Sequence, residues 1–336
     1  MRRRLTAAAA VALGAAALAA PGPGHGSTPV RVPDAVPDTT VRASIPFRVD
    51  HGNLFVEVLI NGTGPHDFML DTGSPVTAMD RGLARKLGLE IESVGMASGA
   101  GGDSVPAGRV RGVGVRLDGE EAADDDGVYV LPLDSLMSPT ADRTVDGVVG
   151  YPFFRDRVVE LDFDATALRV HDPERFRYAG PGHRLPMRVR GGWALLEAVA
   201  DLPELGPTPV ELMVDLGSRG NVLFTTPFVR RYRLDRALRD TARATVGMGL
   251  GGAARFLLAR IDGVQLGSLW IPDVVAGFST GEALPFGQFG GIVGTGILRR
   301  YRVVMDYRRG EMILEEESDA GASGSPRAVS GGARPR

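Results

Sequence analysis

One feature restricts the folds open to this chain more than any other: a set of short motifs that occurs twice at a single spacing. Met69-Leu70-Asp71-Thr72-Gly73-Ser74 returns as Met213-Val214-Asp215-Leu216-Gly217-Ser218, and 215 − 71 = 144. Gly147-Val148-Val149-Gly150 returns as Gly291-Ile292-Val293-Gly294, and 294 − 150 = 144. The aspartates of Val158-Val159-Glu160-Leu161-Asp162 and Val303-Val304-Met305-Asp306 give 306 − 162 = 144. Three elements in one order at one offset mean duplication of a domain, here over 43–178 and 183–316. Two copies are too few for a capped solenoid.

Each copy reads as β. Asn53–Ile60 alternates, with Leu54, Val56, Val58 and Ile60 on one face, and Asn61-Gly62-Thr63-Gly64-Pro65 is a turn. Asp67–Leu70 then runs into Asp71; in the second copy Ala194–Ala200, a Pro203–Pro209 turn region and Val210–Val214 run into Asp215. Short helices are expected over Asp80–Leu89 and Thr226–Leu238, the latter with Pro227 at its first turn. The 46 glycines and 23 prolines fit strands and tight turns better than helical bundles. The expected class is all-β, with barrel-like domains.

The ends carry no fold. Arginines at 2–4, an apolar Leu5–Ala20 stretch and a small-x-small Ala17-Leu18-Ala19 describe a secretory signal peptide over 1–20. The chain is therefore expected to be secreted, periplasmic or in the cell envelope, or membrane-anchored where the leader is retained. Residues 21–42 read as a lead-in, and 317–336 as a disordered tail.

Composition removes several chemistries. Cys is 0, which excludes disulfides, thiolate nucleophiles and Cys-ligated metal. The five histidines show no HExxH spacing, and no metal or organic cofactor is expected. A net charge of −3 lacks the basic excess of a nucleic-acid binder. No phosphate-loop motif occurs. Glu120–Asp126, with five acidic residues in seven, reads as a solvated loop, and Arg299-Arg300-Tyr301-Arg302 as a solvated face.

What remains is the chemistry of Asp-Thr-Gly-Ser. Gly73 allows a tight turn with backbone donors near the carboxylate, Thr72 can hold the turn by its hydroxyl, and Ser74 can donate to the aspartate. A lone copy is equally an Asx-turn. Two copies meeting across an axis would bring Asp71 and Asp215 face to face. Two such carboxylates cannot both ionise and share one proton. One is then a base toward water and the other an acid toward a carbonyl.

On these residues the chain resembles the aspartic proteases of the pepsin and retropepsin superfamily. Phe68–Ser74 resembles the family's active-site strand and turn, and Asp146–Gly150, with Gly150 79 residues after Asp71, the motif that passes beneath it. The resemblance implies two retropepsin-like lobes in a monomer, a peptide or protein substrate, and Asp71 and Asp215 as the catalytic pair. Thr72, Gly73, Ser74, Leu216, Gly217 and Ser218 would support them. It implies flaps at Ser98–Asp103 and Gly247–Gly252, with Gly99, Gly101, Gly102, Gly249 and Gly251; as hairpin tips alone these segments need no function. One departure stands out. Leu216 occupies the place of the family's second hydroxyl, which favours the alternative of a non-catalytic peptide-binding or structural protein. Arg219, next to this loop, is expected to point to solvent.

Overall fold

The computed structural model describes residues 10–11, 40–134, 144–238 and 243–316. The proposed leader, lead-in and tail lie outside them, apart from Ala10–Val11, a two-residue strand parallel to Ser98–Gly99, and the start of the strand Val41–Asp50. No helix among the described residues is long and apolar enough to cross a membrane.

The molecule is predominantly β. Asn53–Ile60 and Thr63–Leu70 form a hairpin closed by Asn61 and Gly62, both at positive φ (51° and 78°), the geometry a two-residue turn demands. Thr63–Leu70 then pairs in parallel with Gly147–Val149, which pairs on its other side with Ala78–Asp80. The second copy repeats this scheme. Gly206–Asp215 pairs in parallel with Gly291–Gly294, which pairs with Val222–Phe224.

Between these regions runs an antiparallel sheet that draws strands from both copies: Val41–Asp50, Ala167–His171, Val158–Asp162, Tyr301–Asp306, Glu311–Glu316 and His183–Arg190, in that order. Its central register sets Glu160 opposite Val304, and 304 − 160 = 144. The strand thus meets its own repeat copy. Phe47, Leu168, Leu161, Val303, Met305 and Leu314 belong to one continuous apolar cluster that spans both copies.

Some boundaries differ from the sequence-based expectation. The Pro203–Pro209 turn shrinks, because the strand Gly206–Asp215 already contains Pro207 and Pro209. Gly206–Glu211 pairs on one side only, with Glu197–Leu202, so the missing proline N–H groups break no ladder. Asp80–Leu89 contains the helix Arg81–Lys86, capped by Asp80 Oδ1 accepting from Gly82 N at 2.6 Å. Thr226–Leu238 splits into Thr226–Tyr232 and Leu234–Ala237 at Arg233, which sits left-handed at φ 55°.

The two charged runs are solvated only in part: Arg299, Arg300, Glu121, Asp125 and Asp126 are exposed, and the other charged residues are paired. Glu120 pairs with Arg157 at 3.0 Å, Asp124 with Arg155 at 2.6 Å, and Arg302 with Glu315 at 2.6 Å.

Candidate functional site

Asp71 and Asp215 each end an apolar strand, Thr63–Leu70 and Gly206–Asp215, whose buried residues bring the chain to the centre of the molecule. Asp71, Thr72, Ser74, Asp215 and Ser218 have 0% exposure. The two loops lie against each other. A Cβ built on Gly73 would stand 2.7 Å from Asp215 Cγ, and one built on Gly217 2.8 Å from Asp71 Cγ. Both glycines are needed for close approach rather than for a left-handed turn. The carboxyls are within interaction range, and both pKa values are raised. Burial is the main cause for each; for Asp215 the charge of Asp71 adds to it.

The Gly-Val-Val-Gly motif and its copy run beneath these loops, as the resemblance implied. Tyr151 N donates to Ser74 O at 2.9 Å, and Thr295 N to Ser218 O at 2.7 Å. A Cβ on Gly150 would meet Val76 O at 2.1 Å, and one on Gly294 Ser218 O at 2.5 Å. Only glycine fits either crossing.

The hydroxyls depart from expectation. Ser74 Oγ donates to Val76 O at 2.6 Å rather than to an aspartate. Thr72 Oγ1 crosses to the other copy, donating to Val214 O at 2.8 Å and accepting from Leu216 N at 3.0 Å. One direction of the interlock is therefore intact. Leu216 cannot return it and instead packs wholly buried in the main apolar cluster. Asp215 Oδ1 accepts from Gly217 N at 2.8 Å, whereas neither oxygen of Asp71 has a strict hydrogen-bond partner among the described residues.

Of the glycine-rich segments, Gly99–Gly102 and Gly249–Gly252 close two hairpins whose tips meet. Gly101 N donates to Leu250 O at 2.9 Å and Asp103 N to Gly251 O at 3.2 Å. Leu284 N donates to Ala100 O at 2.9 Å. The tips are exchanged: Leu250 packs with Phe55, Met69 and Val148 of the first copy, and Ala100 with Trp193, Met213 and Phe289 of the second. Beneath these tips both carboxyls are fully buried, so the described residues leave no open groove above the aspartates.

A family model for aspartyl protease matches residues 56–153. The matched segment takes in Asp71-Thr72-Gly73 and Gly147–Gly150 and ends before Asp215. A comparison with curated proteins finds no match. Among the described residues no group of three His, Asp or Glu side chains could hold a metal ion.

Two contacts have no counterpart in the sequence-based expectations. Trp193 Nε1 donates to Gly73 O at 2.9 Å, so the second copy holds the Asp71 turn directly. The signal was the Gly191-Gly192-Trp193 turn ahead of an apolar strand. Arg219 does not point freely to solvent: it is half-buried, with Nη1 donating to His51 O at 3.1 Å, and burial lowers its pKa.

Proposed function

We propose that the chain is an exported aspartic endopeptidase. Its lobes, 43–178 and 183–316, are related by a pseudo-twofold axis, and Asp71 and Asp215 form the catalytic pair. The observation that carries this reading is the meeting of two buried carboxyls on loops 144 residues apart, each lying where the other's glycine leaves room. The axis is supported by three places where equivalent segments meet: these loops, Glu160 opposite Val304, and the hairpin tips.

The pair holds one proton. The ionised carboxyl takes a proton from water as the water oxygen attacks the peptide carbonyl carbon. The protonated carboxyl donates to the carbonyl oxygen. Collapse of the tetrahedral species breaks the C–N bond, with the proton passing to the leaving amine. Thr72, Trp193, Gly73 and Gly217 position the two carboxyls. The peptide lies extended beneath the two hairpins, and the Gly101–Leu250 and Asp103–Gly251 hydrogen bonds open to admit it. Because both carboxyls titrate high, the activity persists above the usual carboxylate range and falls as the pair loses its last proton.

A peptide-library digest across about pH 3 to 8, comparing the mature chain with its D71N form, tests this. Cleavage in the first and a loss of about a thousandfold or more in the second is the expected result. Equal traces refute it and leave the peptide-binding reading that Leu216 favours.

A further inference from the structure

Beside the Asp215 loop lies a cavity of about 450 Å³ whose lining includes Arg219, Asn221, Leu223, Leu258, Arg299 and Arg300. Three arginines therefore line one space, Arg219 half-buried and Arg299 and Arg300 exposed. Neither Arg299 nor Arg300 is engaged by a carboxylate among the described residues. Arg219 Nε is buried without a hydrogen-bond partner. Among the described residues the carboxylate whose charge reaches Arg219 is Asp50, and it lies 3.7 Å from His51, itself part of the cavity lining. The lining is thus positive overall, and gathering three like charges costs free energy that a bound anion would offset.

The first copy shows that this is not a requirement of the fold. Position 219 − 144 = 75 is Pro75, position 299 − 144 = 155 is Arg155, and position 300 − 144 = 156 is Asp156. There the single arginine is neutralised, with Asp124 at 2.6 Å and Asp156 at 3.1 Å. The scaffold accommodates a paired arginine at this place, and the second copy carries three without such pairing.

The position of the cavity points to its ligand. Arg219 follows directly on the Asp215-Leu216-Gly217-Ser218 loop. Leu223 lines the cavity and also packs in the cluster that holds the hairpin-tip residue Ala100. Val222, Leu258, Val275 and Gly277 give the cavity an apolar wall, beside the polar His51 and Thr295, and that wall suits the stem of a side chain leading to a charged head.

We infer that this cavity receives an aspartate or glutamate side chain of a bound peptide, its carboxylate held by Arg219, Arg299 and Arg300. The inference rests on the peptidase reading only in that it takes peptide as the ligand. Arginine suits the task because its planar fork meets a carboxylate through two parallel hydrogen bonds.

The test is peptide binding to the full mature chain carrying D71N, measured by fluorescence anisotropy. A labelled library of extended peptides with Asp or Glu at each position is compared with the same peptides carrying Asn or Gln. Expected is a set of acidic peptides binding about tenfold tighter than their amide counterparts, with the advantage shrinking as salt is raised. That advantage should vanish in R299Q/R300Q, two exposed positions whose change leaves the core untouched. Equal affinity of acidic and amide peptides, including no binding of either, overturns the proposal. So does an advantage that survives R299Q/R300Q. Free glutamate competing as well as an acidic peptide, mole for mole, makes this a small-anion site and overturns the peptide assignment. Cleavage by the unmutated chain is scored separately. Cleavage with no acidic preference defeats this inference and leaves the peptidase, and acid-dependent binding without cleavage does the reverse.

Discussion

The surroundings of Asp71 and Asp215 are built on one backbone plan and filled with different side chains. Around Asp71 stand Thr72, Ser74 and Pro75; around Asp215 stand Leu216, Ser218 and Arg219. The turn at Gly52 packs on Arg219 Cγ at 3.3 Å (distance from a Cβ built there), while its equivalent at Gly192 packs on Pro75 Cβ at 2.9 Å. Trp193 reaches Gly73 O, and Asn53 occupies the corresponding place in the first copy. The difference teaches that backbone symmetry is held by glycines and parallel strand pairs, which tolerate little change. Polar tasks are divided: the first copy supplies the hydroxyl of the interlock, and the second supplies the indole and the packed leucine.

The steepest test of this comparison is at the glycines, where the two copies must behave alike. Gly73→Ala and Gly217→Ala each drive a methyl group against the opposite aspartate, at 2.7 Å and 2.8 Å from its Cγ. Each should destabilise the chain by about 2–3 kcal/mol and reduce the proposed peptidase activity. Denaturant unfolding checks the first effect and a peptide digest the second. A large loss in one variant alone would break the equivalence.

At the interlock the copies should differ. Thr72→Ala removes a donor to Val214 O and an acceptor from Leu216 N, both buried, and should cost about 1–3 kcal/mol. Leu216→Thr exchanges core packing for a hydroxyl that can return the bond. It should cost stability by about 1–2 kcal/mol while preserving or raising cleavage. Melting curves and a cleavage assay on the two variants separate stability from chemistry. Equal loss of activity in both would show that Leu216 is itself required.

The smallest effect expected comes from Glu160, whose repeat equivalent is Val304. Burial alone would raise its pKa, but the hydrogen bond and charge of His171, with Arg302 and Arg169 beyond, hold it below the usual range. His171 Nε2 lies 3.0 Å from Glu160 Oε2, and its Nδ1 2.8 Å from Thr40 Oγ1. A lowered folded pKa gives stability that is present above the unfolded value, near pH 4.3, and lost as pH falls through the folded one. The wild-type chain should therefore lose more stability than Glu160→Gln on acidification from about pH 6 to 3. Thermal melts at the two pH values measure the difference. The Asp71–Asp215 pair has the opposite sign: its raised pKa values favour the folded state at low pH and weaken it as pH rises through them.

Much of the site is legible in the amino-acid sequence. Asp71 and Asp215 stand out because a carboxylate after an apolar run, followed by small residues, recurs at one spacing. The strands Asn53–Ile60 and Thr63–Leu70 and the crossings at Gly150 and Gly294 follow from local periodicity and turn chemistry. The direction of the Ser74 hydroxyl is not legible, since the Asp71 carboxylate and Val76 O both lie within a few residues of it along the chain. His171 gives no signal, because its partners Glu160 and Thr40 are adjacent to it only across the sheet.

By itself the sequence determined the recurrence of three motifs at one spacing, the β class, the two aspartate loops and the glycines that must cross beneath them. These depend on residues within a strand or a turn of each other, where alternation, φ and side-chain volume act directly. Only the tertiary structure decided that Thr72 grips the opposite copy, that Leu250 and Ala100 exchange places, that Trp193 holds Gly73, and that Arg219 turns inward beside Arg299 and Arg300. Each of these joins segments from both copies or gathers charges from separate turns, and such contacts are set by which surfaces the packed core leaves facing one another.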